Sequence, residues 1–225
     1  ILMINESYLT IFISCLISIR ITDFIIKYFF QKSSSYYLLH TLFNTWVTWM
    51  VFDDMIYTFL NPLNIYVKDY CMSGIITTIG IISFHINHLF FYSNLTFEDW
   101  VHHLVSSIFL PLSAFYLPFS SILALSNVAM CGIPGGIDYF LLFLVKQNKI
   151  KKITEKYINR FLNLLIRWPI MFLCFYIFII NVYNNQIDTI YIPFMYIAFL
   201  LHLTNAFYYC DKVIGNYYLK STLLK

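Results

Sequence analysis

Charge is what this chain has least of. Only 11% of its 225 residues are Asp, Glu, Lys or Arg, against about 25% in a typical soluble domain. Mean hydropathy is +0.72. That shortage excludes a soluble globule. The net charge of +3 is too small to point to nucleic acid as a partner. Cysteine is also sparse: Cys15, Cys71, Cys131, Cys174 and Cys210 form an odd set with no close pair, which excludes a disulfide framework and a cysteine-type zinc site. The N-terminus has no basic n-region and no small-residue cleavage site, so its first apolar run is expected to be a retained span and not a signal peptide. Internal repeats, low-complexity tracts and linkers are lacking too. What remains is a succession of long apolar runs.

Those runs predict an all-α polytopic membrane bundle with about seven crossings: Tyr8 to Phe30, Tyr36 to Leu60, Tyr70 to Tyr92, Trp100 to Phe119, Ser120 to Val145, Phe161 to Val182 and Ile190 to Tyr209. The stretch Trp100 to Val145 is too long for one crossing, and Pro118 with Ser120 and Ser121 is the expected break. A re-entrant turn around Gly132, Pro134, Gly135 and Gly136 is the alternative. An odd number of crossings puts the termini on opposite sides. Lys27, Lys32, the basic stretch Lys146 to Arg160, Lys212, Lys220 and Lys225 fall on the side of the C-terminus, and only Lys68 on the other. This bias predicts a cytoplasmic C-terminus and leaves the Asn94 to Thr96 sequon facing the cytoplasm. Lys146 to Arg160 reads as a solvated loop near anionic lipid.

Polar groups inside hydrocarbon are costly, so each is a functional candidate. Counted at about 1.5 Å per residue, His40, His85, His88, His102, His103 and His202 all lie within ~10 Å of the cytoplasmic face, as do Asp138, Arg167 and Asn205. The facing is consistent: His85 and His88, His40 and Asn44, His202 and Asn205, and Asn163 and Arg167 are each one helical turn apart, and Asn127, Cys131, Pro134 and Asp138 follow one stripe. The expectation is a polar pocket within the bundle, opening toward the cytoplasm. Arg20 and Asp23, one turn apart, are expected to neutralise each other, and Asp138 and Arg167 are candidates to pair. Asp53 and Asp54 are read as solvated near the far interface, and Trp46, Trp49, Trp100 and Trp168 as lipid-facing. His40 and His202 stand either as hydrogen-bonding glue between helices or as functional groups. The adjacent His102 and His103 cannot both serve one packing contact. A neutral imidazole can take a proton from a nucleophile, return it to a leaving group, or attack a carbonyl, and Asp138 at similar depth can orient one ring.

At these residues the chain resembles the TLC domain, shared by ceramide synthases, translocating-chain-associating membrane proteins and small lipid-homeostasis proteins. The resemblance runs from about Ser35 to Tyr217. SSSYYLLHTLFN, with His40, resembles the family's first helix. FEDWVHHLVSS resembles its acidic lead-in and paired histidines. GIPGGIDYFLLFLV is similar to a segment with two aspartates three residues apart, where Asp138 matches the second and Gly135 stands at the first. RFLNLLIRWP resembles the arginine-bearing helix and LLHLTNAFYYCDKVIGNY the last one. The resemblance implies a barrel of helices around a cavity, with residues 1–34 as an N-terminal transmembrane helix, 35–217 as the TLC-like domain and 218–225 as a cytoplasmic tail. It places the protein in an endoplasmic-reticulum-like membrane, engaged in lipid, and specifically sphingolipid, metabolism.

Two functions follow. The first is transfer of an acyl group from acyl-CoA, as cosubstrate, to a lipid amine, with His102, His103 and Asp138 catalytic. His40, Asn44, His85, His88, Arg167, His202 and Asn205 would then line the substrate cavity. The second is non-catalytic binding of membrane lipids. Metal-dependent lipid oxidation through His85, His88, His102 and His103 fits less well, because membrane di-iron oxidation needs about eight histidines in repeated clusters, but a single metal ion is compatible with these residues. No metal or other cofactor is assigned from sequence.

Overall fold

The computed structural model describes residues 6–65, 72–92, 96–117 and 120–222. Among the described residues it is all-helical, with no strand, and four helical runs there are long and apolar enough to cross a membrane: Ser7–Phe29, Met72–Phe91, Ile122–Lys146 and Lys152–Tyr183. The chain is accordingly an integral membrane protein. The expected break at Pro118, the lone far-side Lys68, Cys71, and Asn94 of the sequon lie outside the described residues.

Helix α1 (Glu6–Phe29) matches the first expected span and α4 (Met72–Phe91) the third. They occupy opposite extremes of environment. α1 turns Leu9, Ile13, Ile17, Phe24 and Tyr28 outward, whereas α4 is buried on nearly all sides and carries Thr77, Thr78, Ser83, His85, Asn87 and His88 into the interior. The second span is not one helix but two, α2 (Lys32–Met50) and α3 (Phe52–Leu60), interrupted at Val51. Asp53 and Asp54 explain the interruption, because carboxylates are favoured in the first turn of a new helix, at the positive end of its dipole. Asp53 is exposed, but Asp54 is buried and accepts the Ser73 hydroxyl, correcting its reading as a solvated residue.

The fourth span is divided into α5 (Phe97–Val101), a π-helical stretch His102–Phe109, and α6 (Leu110–Ser113). Beyond it, α7 (Ile122–Met130) and α8 (Ile133–Lys146) meet at Cys131 and Gly132, so the glycine and proline cluster marks an interruption. Next come α9 (Lys152–Leu162), a π-helical turn Asn163–Arg167 and α10 (Trp168–Tyr183), forming one continuous run. The basic stretch is therefore not a loop: from Lys152 onward it is helix. Glu155 and Asn159, four residues apart, face inward while Lys151 and Lys152 stay exposed. The last helix, α11 (Ile192–Thr222), continues through most of the segment read as a tail.

Two of the helix ends are written in the sequence. After α8, Asn148 adopts φ 56°, and its N–H reaches Val145 O while the Lys149 N–H reaches Leu144 O. After α10, Asn185 at φ 55° repeats the pattern with Val182 and Asn181. Both are left-handed caps of the Schellman type, for which Asn is the best residue after Gly.

Packing divides into an apolar cluster on α1, α2 and α4, centred on Leu39, Val47 and Phe84, and another on α7, α10 and α11, centred on Ile122, Ile177, Phe178 and Met195. Trp46 belongs to the first. A Cβ at Gly80 would stand 2.6 Å from its ring, so Trp46 fills a glycine gap on α4 and is not purely lipid-facing. The α1–α4 seam is closed by Asp23, which accepts Lys27 Nζ at 2.6 Å, Arg20 Nη1 at 3.2 Å and the Tyr92 hydroxyl at 2.8 Å. The expected neutralisation of Asp23 is thus present, with two further donors. Asp23→Ala is expected to cost about 1 to 3 kcal/mol, held down because Arg20 and Lys27 can return to water. It would be read as a lower unfolding midpoint in detergent, and an unchanged midpoint would refute the seam.

Candidate functional site

The polar residues singled out from sequence meet in one cavity of about 240 Å³. His40 and Asn44 enter from α2, His85 from α4, His102 and His103 from the π-helical stretch, Asp138 from α8, Arg167 from the second π turn, and His202 and Asn205 from α11. His88, expected to line the cavity, stands behind its wall, fully buried, its ring 4.5 Å from that of His40 and 5.7 Å from that of His103.

The two π-helical segments are what bring His102, His103 and Arg167 to this cavity in their observed orientations. Each is followed by a proline, Pro111 or Pro169. The missing proline N–H leaves the carbonyl four residues earlier, at Ser107 or Leu165, without its helical donor. The wider π turn accommodates that gap. It also turns less per residue than an α-helix, so the neighbours His102 and His103 diverge less than the roughly 100° of an α-helix. Their ring centroids are 5.5 Å apart.

Two of the histidines bond within their own helices. His85 Nδ1 is 2.8 Å from Ile81 O and His202 Nδ1 is 3.0 Å from Ala198 O, each within its own helix. His40 is packed in an aromatic cage, stacked on Tyr139 at 3.9 Å and edge-on to Tyr36 and Phe84, with Nε2 buried and unpartnered. Tyr209 meets His102 edge-on at 5.0 Å. Tyr36, Tyr139 and Tyr209 were indistinguishable in sequence from the interfacial belt.

Asp138 and Arg167 are not a direct pair. They are joined by a ladder of amides: Asn159 Nδ2 donates to Asp138 Oδ1 at 2.6 Å, Asn163 Nδ2 to Asn159 Oδ1 at 2.8 Å, and Arg167 Nη1 to Asn163 Oδ1 at 2.7 Å. Arg167 Nε also reaches Ala129 O at 3.3 Å. At the other end Asn159 Nδ2 lies 3.4 Å from Glu155 Oε1, which is bound by Lys156 Nζ at 3.2 Å. Glu155, Asn159, Asn163 and Arg167 recur every four residues, a signal present in the sequence but hidden under the surrounding lysines.

Asn127 uses its amide to pin α7 to α4, donating to Gly74 O and the Thr77 and Thr78 hydroxyls at 2.9 to 3.1 Å. A Cβ on Gly135 would lie 2.8 Å from Asn44 Nδ2. Position 135 therefore takes a side chain only if Asn44 moves.

The arrangement offers several imidazoles, one carboxylate and one guanidinium to a group small enough for 240 Å³, below the roughly 300 to 1,000 Å³ of drug-sized pockets. A polar headgroup or a reacting carbonyl fits, and a whole lipid does not. Scans of protein-family models, of curated proteins and of solved structures found no match to this chain.

Proposed function

We propose that the chain is a TLC-type membrane protein of lipid metabolism that transfers an acyl group from acyl-CoA to a lipid amine. In this reading α2 with α3, the α5 to α6 segment and α11 add three crossings to the four apolar runs, forming a barrel around the cavity. The C-terminus is cytoplasmic and the membrane is of the endoplasmic reticulum type. The observation that supports it is the convergence of His102, His103, Asp138 and Arg167 on one small cavity in an otherwise apolar bundle. The amine attacks the thioester carbonyl, the C–N bond forms as the C–S bond breaks, and the histidine-lined wall carries the amine proton to the departing thiolate. Asp138, held by Asn159, supplies the negative charge that offsets a transiently protonated imidazole. The acyl chain and the acceptor's tail remain outside, among the apolar helices.

Gly135, crowded by Asn44 where the family resemblance has an aspartate, favours a second reading: the cavity holds a lipid headgroup without chemistry. Expression in cells lacking their own ceramide synthases, followed by lipid profiling, separates the two. Acyl transfer predicts new acylated lipid with the wild-type chain and its loss with His102→Ala or His103→Ala. A wild-type profile with no new species at any acyl length overturns it, as do variants that match wild type.

A further inference from the structure

We infer that His85, His102 and His103 form a binding site for one divalent transition metal ion of the zinc class. One ring nitrogen from each lies within 4.8 Å of the others, and the three ring centroids are 5.1, 5.5 and 6.1 Å apart. A tetrahedral ion with Zn–N bonds of about 2.0 to 2.1 Å needs its nitrogens ~3.3 Å apart. To reach that spacing each imidazole has to advance by ~1 Å on the same geometry, a displacement on the scale of a side-chain adjustment.

Three further features fit. The His85 Nδ1–H donates to Ile81 O at 2.8 Å. That hydrogen bond fixes the tautomer and leaves Nε2 with its lone pair, the usual outer support of a metal-bound imidazole. Next, His88 is fully buried with neither ring nitrogen hydrogen-bonded, and its ring stands 5.7 Å from that of His103. It is a nitrogen-rich reserve beside the trio where burial without a partner is costly. Finally, three neutral imidazoles leave the ion its full charge and one open coordination position facing the cavity. Closed structural sites have four protein ligands, and sites that act on a bound water or carbonyl have three. All-nitrogen coordination selects Zn, Co, Ni or Cu over Mg or Ca. The sequence left a single ion compatible with His85, His88, His102 and His103, and the packing of α4 against the π-helical stretch selects three of the four.

The inference rests on the cavity of the proposed function but not on acyl transfer: an ion held here makes His102 and His103 ligands in place of proton carriers, with the open position as the contact for a polar headgroup or carbonyl oxygen. The test uses the full chain, purified without an affinity tag in detergent, stripped with a chelator and titrated with Co²⁺. Expected are one Co²⁺ per chain with the visible bands of a tetrahedral site, displacement by Zn²⁺, and weakening by about 100-fold or more in His85→Ala and His103→Ala. His202→Ala, on the same cavity but outside the trio, should keep the site. Absence of stoichiometric Co²⁺ and Zn²⁺ binding by the folded wild-type chain overturns the inference, and so does binding that survives in both trio variants. Neither readout depends on whether acylated lipid is made, so failure of the metal site and failure of acyl transfer are told apart.

Discussion

Asn159→Asp is expected to be among the most destabilising single-atom-scale changes in this protein. The substitution keeps the shape of the side chain and removes the amide donor that reaches Asp138 at 2.6 Å and Glu155 at 3.4 Å. It sets a third carboxylate between two others, with Glu155 and Asn159 both buried. The loss combines an unsatisfied buried acceptor, about 1 to 3 kcal/mol, with like-charge repulsion in a poorly screened interior. A total on the order of 4 kcal/mol follows from those two terms. Asn159→Ala, which removes the donor without adding charge, should cost less. Unfolding midpoints of the two variants in detergent are the measurement: an order reversed, or an Asp variant equal to wild type, would show that the ladder does not hold α8 to α9.

Gly132→Ala is expected to be the most damaging change on the glycine-rich start of α8. Gly132 caps the helix at φ −49°, ψ −111°, outside the helical and extended regions, and its N–H reaches back to Asn127 O at 3.1 Å. A Cβ there would meet Val128 Cα at 2.8 Å as well as Thr48 Oγ1 at 2.8 Å. The threonine can rotate, but the backbone of the preceding helix cannot, so the α7 to α8 joint must open. Overpacking of this kind costs about 1 to 3 kcal/mol. Gly136→Ala is the control, since its Cβ would find only ordinary contacts at 3.6 Å and beyond. If both alanine variants melt alike, the close approach at Gly132 is not what shapes the joint.

Both predictions concern residues whose importance was unevenly legible. Gly132 stood out in sequence because a Gly, Pro and Gly cluster interrupts an apolar run. Asn159 did not, because it lies in a lysine-rich stretch that reads as solvated until the four-residue recurrence of Glu155, Asn159, Asn163 and Arg167 is placed on a helix. Trp46 and Tyr139 were hidden for a different reason: an aromatic residue on a membrane helix carries no mark of whether it faces lipid, fills a glycine gap or stacks on a histidine.

What the sequence determined by itself is the membrane-embedded helical character and the gathering of polar side chains at similar depths and on single helix faces. Depth and facing follow from helical rise and periodicity alone, which are properties of one segment at a time. Which segments touch is not. The break at Val51, the two π turns ahead of Pro111 and Pro169, the amide ladder that separates Asp138 from Arg167, and the meeting of His85 with His102 and His103 depend on packing between helices and on local re-partnering of backbone carbonyls. The scarcity of charge announced a membrane protein and the facing of its polar groups predicted a pocket, and only the tertiary structure decided which of them meet there.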